Sequence, residues 1–227
     1  MKYRELVPGI FQSRPNRFIA MVEVDGQIEK CHVKNTGRCR ELLIPGTTVY
    51  LEPGNSPERK TKYSLITVEK DGRLVNIDSQ APNAAAAEWL ATDPLGWGVK
   101  KVLREKTYGG SRFDFFLETE CGKGIYLETK GVTLDENGVA RFPDAPTERG
   151  IKHIHHLIEA RKNGYGAAIL FVIQMKGIHL FEPNDRTQPE FRQALKEARE
   201  AGVEILAYDC LVGVGEMRVD APVNVNL

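Results

Sequence analysis

SRFDFFLETECGKGIYLETKG, residues 111–131, predicts two β-strands joined by a tight turn. Both strands are rich in aromatic and branched side chains, which favour β-structure. Each strand nevertheless carries an acid near its centre, Asp114 in the first and Glu128 in the second. An acid in a strand that otherwise favours burial requires a chemical partner, and the hairpin is therefore the first candidate for a functional site.

The spacing of these residues predicts which side chains meet. Because side chains alternate along a strand, Tyr126, Glu128 and Lys130 share one face. If the turn is centred near Cys121, Asp114 lies directly opposite Glu128, with Cβ atoms about 4.5–5.5 Å apart. Two carboxylates at that distance repel each other unless a cation lies between them. Mg²⁺ or Mn²⁺ fits this position, since Mg²⁺ is commonly bound through one or two carboxylates.

Such a site could cleave a phosphodiester. The metal would activate a water and polarise the phosphoryl oxygen, while Lys130 stabilises developing charge or helps to deprotonate the water. The helix predicted over PNAAAAEWLATD precedes the hairpin and offers Glu88 as a further metal ligand. The alternative is a hairpin with a solvated face, on which Lys130 only neutralises the two acids.

A second helix, predicted to begin near Thr147 in TERGIKHIHHLIEARKNG, is basic on one side. A cationic stripe at the start of a helix suits contacts with phosphates, although a solvated face is the commoner meaning of such a stripe. The basic stripe comprises Arg149, Lys152 or His153, and His156, and the predicted core stripe comprises Ile151, Ile154 and Ile158. A third helix is predicted over TQPEFRQALKEAREAG, with Thr187 and Glu190 as a capping box and Gly202 as the stop signal.

The amino-terminal part has a different character. From about residue 11 to residue 78, short strands alternate with turns, and RCRELL is the only helix candidate. This pattern predicts an OB-type barrel in residues 1–80 and a mixed α/β domain in residues 81–227. Basic and aromatic residues of the barrel could contact DNA, whereas KNTGR could equally be a structural loop that packs on the second domain. The barrel candidates are Arg14, Arg17, Lys34, Arg38, Arg40, Phe11 and Phe18.

Composition narrows the class of protein. The 227 residues are 41% hydrophobic, enough for a substantial core, and the formal net charge is zero, with +3 through Gln80 and −3 after it. No apolar stretch is long enough to span a bilayer and no secretory signal is evident, so we expect a cytoplasmic protein. The four cysteines form no CxxC pair, which predicts small buried residues rather than zinc ligands or disulfides.

Four separated motifs occur along the chain in a fixed order: KNTGR with ELLIPG, then GGSRFDFFL, YLETKGVTL and FPDAPTERGIKH. In this combination the sequence resembles the sugar fermentation stimulation protein A family over essentially the whole chain. The resemblance implies an N-terminal OB-like barrel followed by a domain of the PD-(D/E)xK nuclease superfamily. It assigns the superfamily's acid to Asp114, its E-x-K to Glu128 and Lys130, and its first-helix acid to Glu88. Thr129 occupies the middle of the E-x-K, where an apolar residue is frequent.

The resemblance also implies DNA binding and a role in regulating the use of maltose and related sugars. The candidate DNA contacts are Arg149, Lys152, His153, Arg112, Arg14, Arg17 and Arg38. Our first hypothesis is a DNA-binding regulator with a nuclease-like, Mg²⁺-binding site. The alternatives are an active metal-dependent nuclease and a protein-interaction module that binds no nucleic acid. Oligomeric state stays open, with a homodimer as one possibility.

Overall fold

The computed structural model describes residues 1–35, 37–54 and 58–227. Its first part is a closed barrel of five strands that run in the order β3-β2-β1-β4-β5, and β3 pairs in parallel with β5 to complete the ring. The strands are β1 Val7–Asn16, β2 Ile19–Val24, β3 Gln27–Val33, β4 Thr48–Pro53 and β5 Tyr63–Lys70, with β6 Arg73–Asn76 paired to β5. The predicted OB-type barrel is confirmed.

Two details of the barrel differ from the sequence-based prediction. RCRELL forms turns rather than a helix, because Cys39 has a φ of +45° and Pro45 disfavours helical geometry at the residue before it. Strand β1 was not predicted, since VPGIFQSRPN contains two prolines, which usually argue against a strand. The turn-like KNTGR segment includes Thr36, which lies outside the described residues.

The second part is built on a six-stranded mixed sheet in the order β15-β14-β12-β9-β8-β7. Strand β12 is parallel to both of its neighbours, and the remaining pairs are antiparallel. The strands are β7 Val99–Tyr108, β8 Ser111–Thr119, β9 Gly124–Val132, β12 Gly166–Ile173, β14 Glu204–Gly213 and β15 Glu216–Pro222. A smaller sheet contains β10 Leu134–Glu136, β11 Val139–Phe142, β13 Leu180–Pro183 and β16 Asn224–Val225. The predicted mixed-sheet domain is confirmed.

Helices cover both faces of the large sheet. They are α1 Ala81–Leu90, α2 Glu148–Lys162 and α3 Pro189–Glu200. Helix α1 packs in one apolar core with Phe115 and Leu127, while α2 and α3 pack in the other with Phe113 and Tyr126. Strand β12 lies between these layers and is buried along its whole length, as its continuous apolar run predicts. No helix in the described ranges is long and apolar enough to cross a membrane.

The start of α2 agrees with the prediction, because the Thr147 hydroxyl accepts a hydrogen bond from the Gly150 amide at 3.0 Å. In the predicted core stripe of α2, Ile154 and Ile158 are buried and Ile151 is partly buried against the same core, but the buried face also includes His153, which was assigned to the basic stripe. The capping box predicted for α3 was also wrong. Gln188 occupies the N-cap and Pro189 takes the first helical position, but the Gln188 side chain does not cap its own helix; its Oε1 accepts the Thr147 amide at 2.8 Å instead.

The two parts are joined through a buried glutamine. Gln174 follows β12, and its Nε2 donates to the carbonyl oxygens of Asn76 at 2.9 Å and Asp78 at 3.1 Å. The amide of Asn76 donates in return to the Gln174 carbonyl at 3.0 Å. An ion pair between Arg73 and Asp135 links β6 to the small sheet. The barrel is therefore held in a fixed position beside the carboxyl ends of β9 and β12.

Candidate metal and nucleic-acid site

The acidic hairpin has the predicted register. Phe115 pairs with Leu127 and Leu117 with Ile125, which places Cys121 at its centre. Continuing the same register brings Asp114 opposite Glu128. The main-chain pairing ends at Phe115, and beyond it the Asp114 Oδ2 atom accepts the Thr129 amide at 2.8 Å. The Asp114 carboxylate thus accepts the Thr129 amide, in the place of the main-chain hydrogen bond with which a regular ladder would continue.

Strand β8 is distorted at this point. Phe113 packs with the core beneath α2, whereas Phe115 packs with the core beneath α1, so the regular alternation is interrupted at Asp114. On the neighbouring strand, Glu105 has a φ of +57°. The second oxygen of Asp114 accepts a hydrogen bond at 2.8 Å from Asn83 in the first turn of α1. Asp114 is therefore fixed between α1 and β9.

Glu128 is almost completely buried, with 3% of its surface exposed. Its Oε1 atom accepts two hydrogen bonds, one at 2.5 Å from the Lys130 Nζ and one at 2.6 Å involving the His153 Nδ1. Its Oε2 atom is buried and has no partner in the described residues. The predicted common face of Glu128 and Lys130 is thus observed, and one carboxylate oxygen remains available there.

The two acids have opposite electrostatic environments. Burial raises the pKa of Asp114, the nearby charge of Glu128 raises it further, and the hydrogen bonds from Thr129 and Asn83 only partly oppose this. Burial acts in the same direction on Glu128, but the hydrogen bonds and charges of His153 and Lys130 outweigh it and hold its pKa below the usual range. Glu128 is therefore the more stable anion of the pair.

The chemistry of these residues fits a hard divalent cation. Within the described residues, four buried side-chain nitrogen or oxygen atoms lack a hydrogen-bond partner, and two of them are the Glu128 Oε2 and the Thr129 Oγ1. A buried polar atom without a protein partner often indicates the position of a bound ion or water. The described residues contain no cluster of three or more histidine, cysteine or acidic ligands, so the chain itself offers the two carboxylates of Asp114 and Glu128. That donor set is sufficient for Mg²⁺, which keeps several waters.

The structure does not bring Glu88 to this cluster. Its carboxylate pairs with the amino group of Met1 at 2.6 Å, and its side chain is 65% exposed. Glu88 follows Asn83 by five residues, about 140° further around the helix, so only one of the two can face Asp114. The interpretation of Glu88 as a metal ligand is corrected accordingly, and the helix contributes Asn83 instead.

The residues of α2 divide into two groups. Arg149 and Lys152 are exposed, whereas His153 is buried and bonded to Glu128, so the interpretation of His153 as a DNA contact is wrong. The helix turns its basic face less fully toward solvent than predicted, because His156 bonds to the Ser111 hydroxyl at 2.6 Å. Arg112 on β8 is exposed and lies 3.3 Å from Glu105.

The four candidate arginines of the barrel differ in what their side chains contact. Arg14 donates to four main-chain carbonyls in and beside the KNTGR loop, and its side chain is therefore structural. Arg17, Arg38 and Arg40 are exposed, and Arg17 lies 4.7 Å from the ring centre of the exposed Phe18. A cavity of about 290 Å³ beside them has no acidic lining residue. We call Arg17, Arg38 and Arg40 the barrel arginines.

The KNTGR loop contacts the second domain, as one of the two interpretations of the sequence predicted. The Asp144 carboxylate in the FPDAPTERG segment accepts the Arg38 amide at 3.1 Å. A polar cleft of about 180 Å³ opens there, lined by the loop and by the end of β9 at Gly131. This cleft shares Gly37 with the cavity that the barrel arginines line, and Gly131 in its wall directly follows Lys130 of the hairpin.

Three features of the site were not predicted. The Asn83 contact, the Thr129 amide and the buried position of His153 all depend on residues distant in sequence. Asn83 directly precedes the alanines from which helix α1 was predicted. An asparagine in the first turn of a helix does not by itself indicate a functional contact. The cysteines were predicted to be buried, which holds for Cys31, Cys39 and Cys210 but not for Cys121, which is exposed at the hairpin turn.

An OB-type barrel is joined to a mixed α/β domain whose hairpin carries an acid and an E-x-K triplet, which defines a two-domain protein of the mixed α/β class. The chain belongs to the sugar fermentation stimulation protein family. Residues 13–77 match the model of the SfsA N-terminal OB domain, and residues 80–216 match that of the sugar fermentation stimulation protein RE domain.

Relatives and a solved structure agree with this assignment. A sugar fermentation stimulation protein homolog from Ruminiclostridium cellulolyticum is 53% identical over 227 residues, which is 100% of both chains. A homolog from Desulfitobacterium hafniense is 55% identical over 212 residues, covering 93% of this chain and 92% of the relative. The structure of Pyrococcus furiosus SfsA in complex with Ca²⁺ is 34% identical, has a TM-score of 0.90 and covers 100% of this chain and 98% of that one.

Proposed function

We propose that this protein binds DNA and holds a divalent cation, Mg²⁺ or Mn²⁺, between Asp114 and Glu128. The observation that carries the metal site is the buried, unpaired Oε2 of Glu128 beside a second carboxylate. An unpaired anion oxygen in the protein interior is costly unless a cation or a donor occupies the position next to it. The Ca²⁺ in the Pyrococcus furiosus relative supports a cation of this class.

When bound, the cation would lower the pKa of a coordinated water and polarise a phosphoryl oxygen. The chain's own groups have separate tasks around it. Asn83 and the Thr129 amide hold the Asp114 carboxylate, and Lys130 places a positive charge 2.5 Å from Glu128. Lys130 is thus close enough to the acids to contact a phosphate that approaches them.

Two surfaces would hold the DNA backbone. One is the exposed start of α2, with Arg149 and Lys152, and the other is the group of barrel arginines beside the KNTGR loop. Both present guanidinium or ammonium groups to solvent, which favours phosphate contacts over the reading of base edges. Arg14 is excluded from this surface because its guanidinium is used by main-chain carbonyls.

The second candidate function is hydrolysis of DNA. It is favoured by Lys130, because a protein that only binds a cation and DNA has no evident need for a lysine bonded to the same acid as the metal. In this case DNA binding serves cleavage. The two candidates share one site and differ in whether phosphodiester bonds are broken.

One experiment distinguishes the candidates. Labelled single- and double-stranded DNA is incubated with the protein in Mg²⁺, Mn²⁺ or EDTA, and binding and cutting are measured in the same samples. Lys130→Ala is compared with Lys123→Ala, a matched change at an exposed lysine of the same hairpin. Metal-dependent cutting that is lost only in Lys130→Ala supports a nuclease. Binding without cutting supports the first function.

Salt dependence tests the DNA surface itself. Contacts with several phosphates predict that the logarithm of the affinity falls steeply with the logarithm of the salt concentration. Replacing Arg38 and Arg40 by alanine should reduce that slope by roughly two, one for each lost phosphate contact. A slope near zero in the unaltered protein would contradict DNA binding and favour a protein-interaction module.

A regulatory role in maltose utilisation would follow from occupancy of DNA. The relatives' name refers to sugar fermentation, and this part of the proposal extends from that name to the chain. In a strain that lacks the protein, Lys130→Ala should restore growth on maltose if occupancy is sufficient. The double variant at Arg38 and Arg40 should fail to do so. Failure of Lys130→Ala as well as of the double variant would make cleavage the cause of the phenotype.

A further inference from the structure

His153 lies on the buried face of α2, directly above the acidic hairpin. The residue is 4% exposed, and its ring lies edge-on to Phe113, with ring centres 5.7 Å apart. One ring nitrogen faces Glu128 and the other faces Arg149. A residue with so little exposed surface cannot contact a phosphate without rearrangement of α2.

The hydrogen bonds determine which nitrogen of His153 carries the proton. Arg149 Nε donates to the His153 Nε2 at 3.4 Å, and because a guanidinium is always a donor, Nε2 must accept. In the neutral ring the proton is then on Nδ1, which donates to the Glu128 Oε1 at 2.6 Å. The exposed Arg149 therefore orients His153, and His153 orients Glu128.

The hydrogen bond from His153 helps to fix the orientation of the Glu128 carboxylate. Its Oε1 accepts from both His153 and Lys130, so the plane of the carboxylate is held by two donors. The Oε2 atom is left unpaired within the site. If the bond from His153 were removed, Lys130 alone would hold Oε1, and the carboxylate could rotate about its terminal torsion, which is a soft one.

We propose that His153 is a positioning residue that holds the Glu128 carboxylate so that its Oε2 is presented to the divalent cation. This inference rests on the proposed metal site. Ligating carboxylates are usually fixed by hydrogen bonds from residues behind them, and loss of such a partner typically weakens metal binding by roughly 10- to 100-fold. His153 thus acts on the metal through Glu128, and not on DNA.

The test uses a pair of substitutions that differ only in one donor. Asparagine carries its amide nitrogen at the same number of bonds from Cα as the histidine Nδ1, so His153→Asn can keep the bond to Glu128, whereas His153→Ala cannot. Mn²⁺ affinity is measured by calorimetry for both variants and for the unaltered protein. We expect His153→Ala to lose roughly 10- to 100-fold and His153→Asn to remain within about threefold.

Further measurements separate this role from a purely structural one. If His153→Ala does not fold, His153→Gln replaces it, because its amide is displaced by one methylene and should also lose Mn²⁺ affinity. DNA affinity in EDTA should be unchanged in His153→Asn. In ¹⁵N-histidine NMR spectra of the metal-free protein, the neutral form of the His153 ring should carry its proton on Nδ1 rather than on Nε2.

The outcomes are distinguishable. Absence of Mn²⁺ binding in the unaltered protein would overturn the proposed metal site and this inference with it. Mn²⁺ binding that is equally strong in His153→Ala and the unaltered protein would overturn only the positioning role. A loss of the same size in His153→Asn and His153→Ala would also overturn it, since the donor would then be irrelevant.

Discussion

Arg14 provides the sharpest test of the structure, because its sequence context predicts a DNA contact while its hydrogen bonds indicate a structural role. Its two terminal nitrogens donate to the carbonyls of Asn35, Gly37, Arg38 and Arg17 at 2.6–2.9 Å. Arg14→Lys keeps the charge, but a single ammonium cannot span four carbonyls in the way a planar guanidinium does. If the substitution removes two or three bonds worth about 1 kcal/mol each, the free energy of unfolding falls by about 2–3 kcal/mol.

Urea unfolding measures this loss. With a denaturant slope of about 2 kcal/mol per molar, the midpoint should fall by about 1–1.5 M. Circular dichroism and tryptophan fluorescence should both be followed, because coincident transitions are needed before a single free energy is assigned. Arg17→Lys is the matched control at an exposed position, where we expect a change within about 0.5 kcal/mol. A stable Arg14→Lys protein with weakened DNA binding would refute the structural role.

Three further predictions concern single groups. Carboxyl ¹³C NMR titration of the metal-free protein should show Asp114 losing its proton at a higher pH, and Glu128 at a lower pH, than the same residues in the unfolded chain. Gly131→Ala should cost about 1–3 kcal/mol, because its Cβ would lie 2.6 Å from a buried glutamine oxygen, whereas Gly110→Ala, with no contact under 3.5 Å, should be nearly neutral. Ellman's reagent should modify one thiol in the native protein, that of Cys121, and the other three only after unfolding.

The two acids also affect stability in opposite directions. Glu128 has a lowered folded-state pKa, so it stabilises the fold above the unfolded-state pKa of about 4.3, and this contribution is lost as the pH falls through the folded value. Asp114 has a raised folded-state pKa, so its protonation favours the folded protein as the pH decreases through that value. If the pKa of Asp114 were below its unfolded-state value, or that of Glu128 above its own, the assigned environments would be wrong.

The thiol prediction has a physical basis in both burial and hydrogen bonding. Burial raises the pKa of Cys31 to about 12 and that of Cys39 to about 11. The exposed Cys121 thiol has a lowered pKa, chiefly because it interacts with the Thr119 hydroxyl. Cys121→Ser should remove the fast reaction. If a fast-reacting thiol remained in that variant, one of the buried cysteines would have to be accessible.

The sequence alone determined the architecture and the register of the hairpin. Alternating side chains and a turn centred near Cys121 placed Glu128 and Lys130 on one face and Asp114 opposite Glu128, because these relations depend only on strand geometry. The start of α2 at Thr147 was equally local, since an N-cap bonds to an amide three residues away. Strand β1 was not predicted, because its two prolines are disfavoured within a strand.

Only the tertiary structure decided which side chains meet the acids. Asn83 reaches Asp114 across 31 residues and His153 reaches Glu128 across 25, and no periodicity encodes which helix face packs over which strand. The helical phase of α2 is set by its packing on the sheet, which buries His153. Helix geometry likewise turns Glu88 away from Asp114. Local spacing fixes the direction of a side chain relative to its own element, whereas its partner depends on the packing of distant elements.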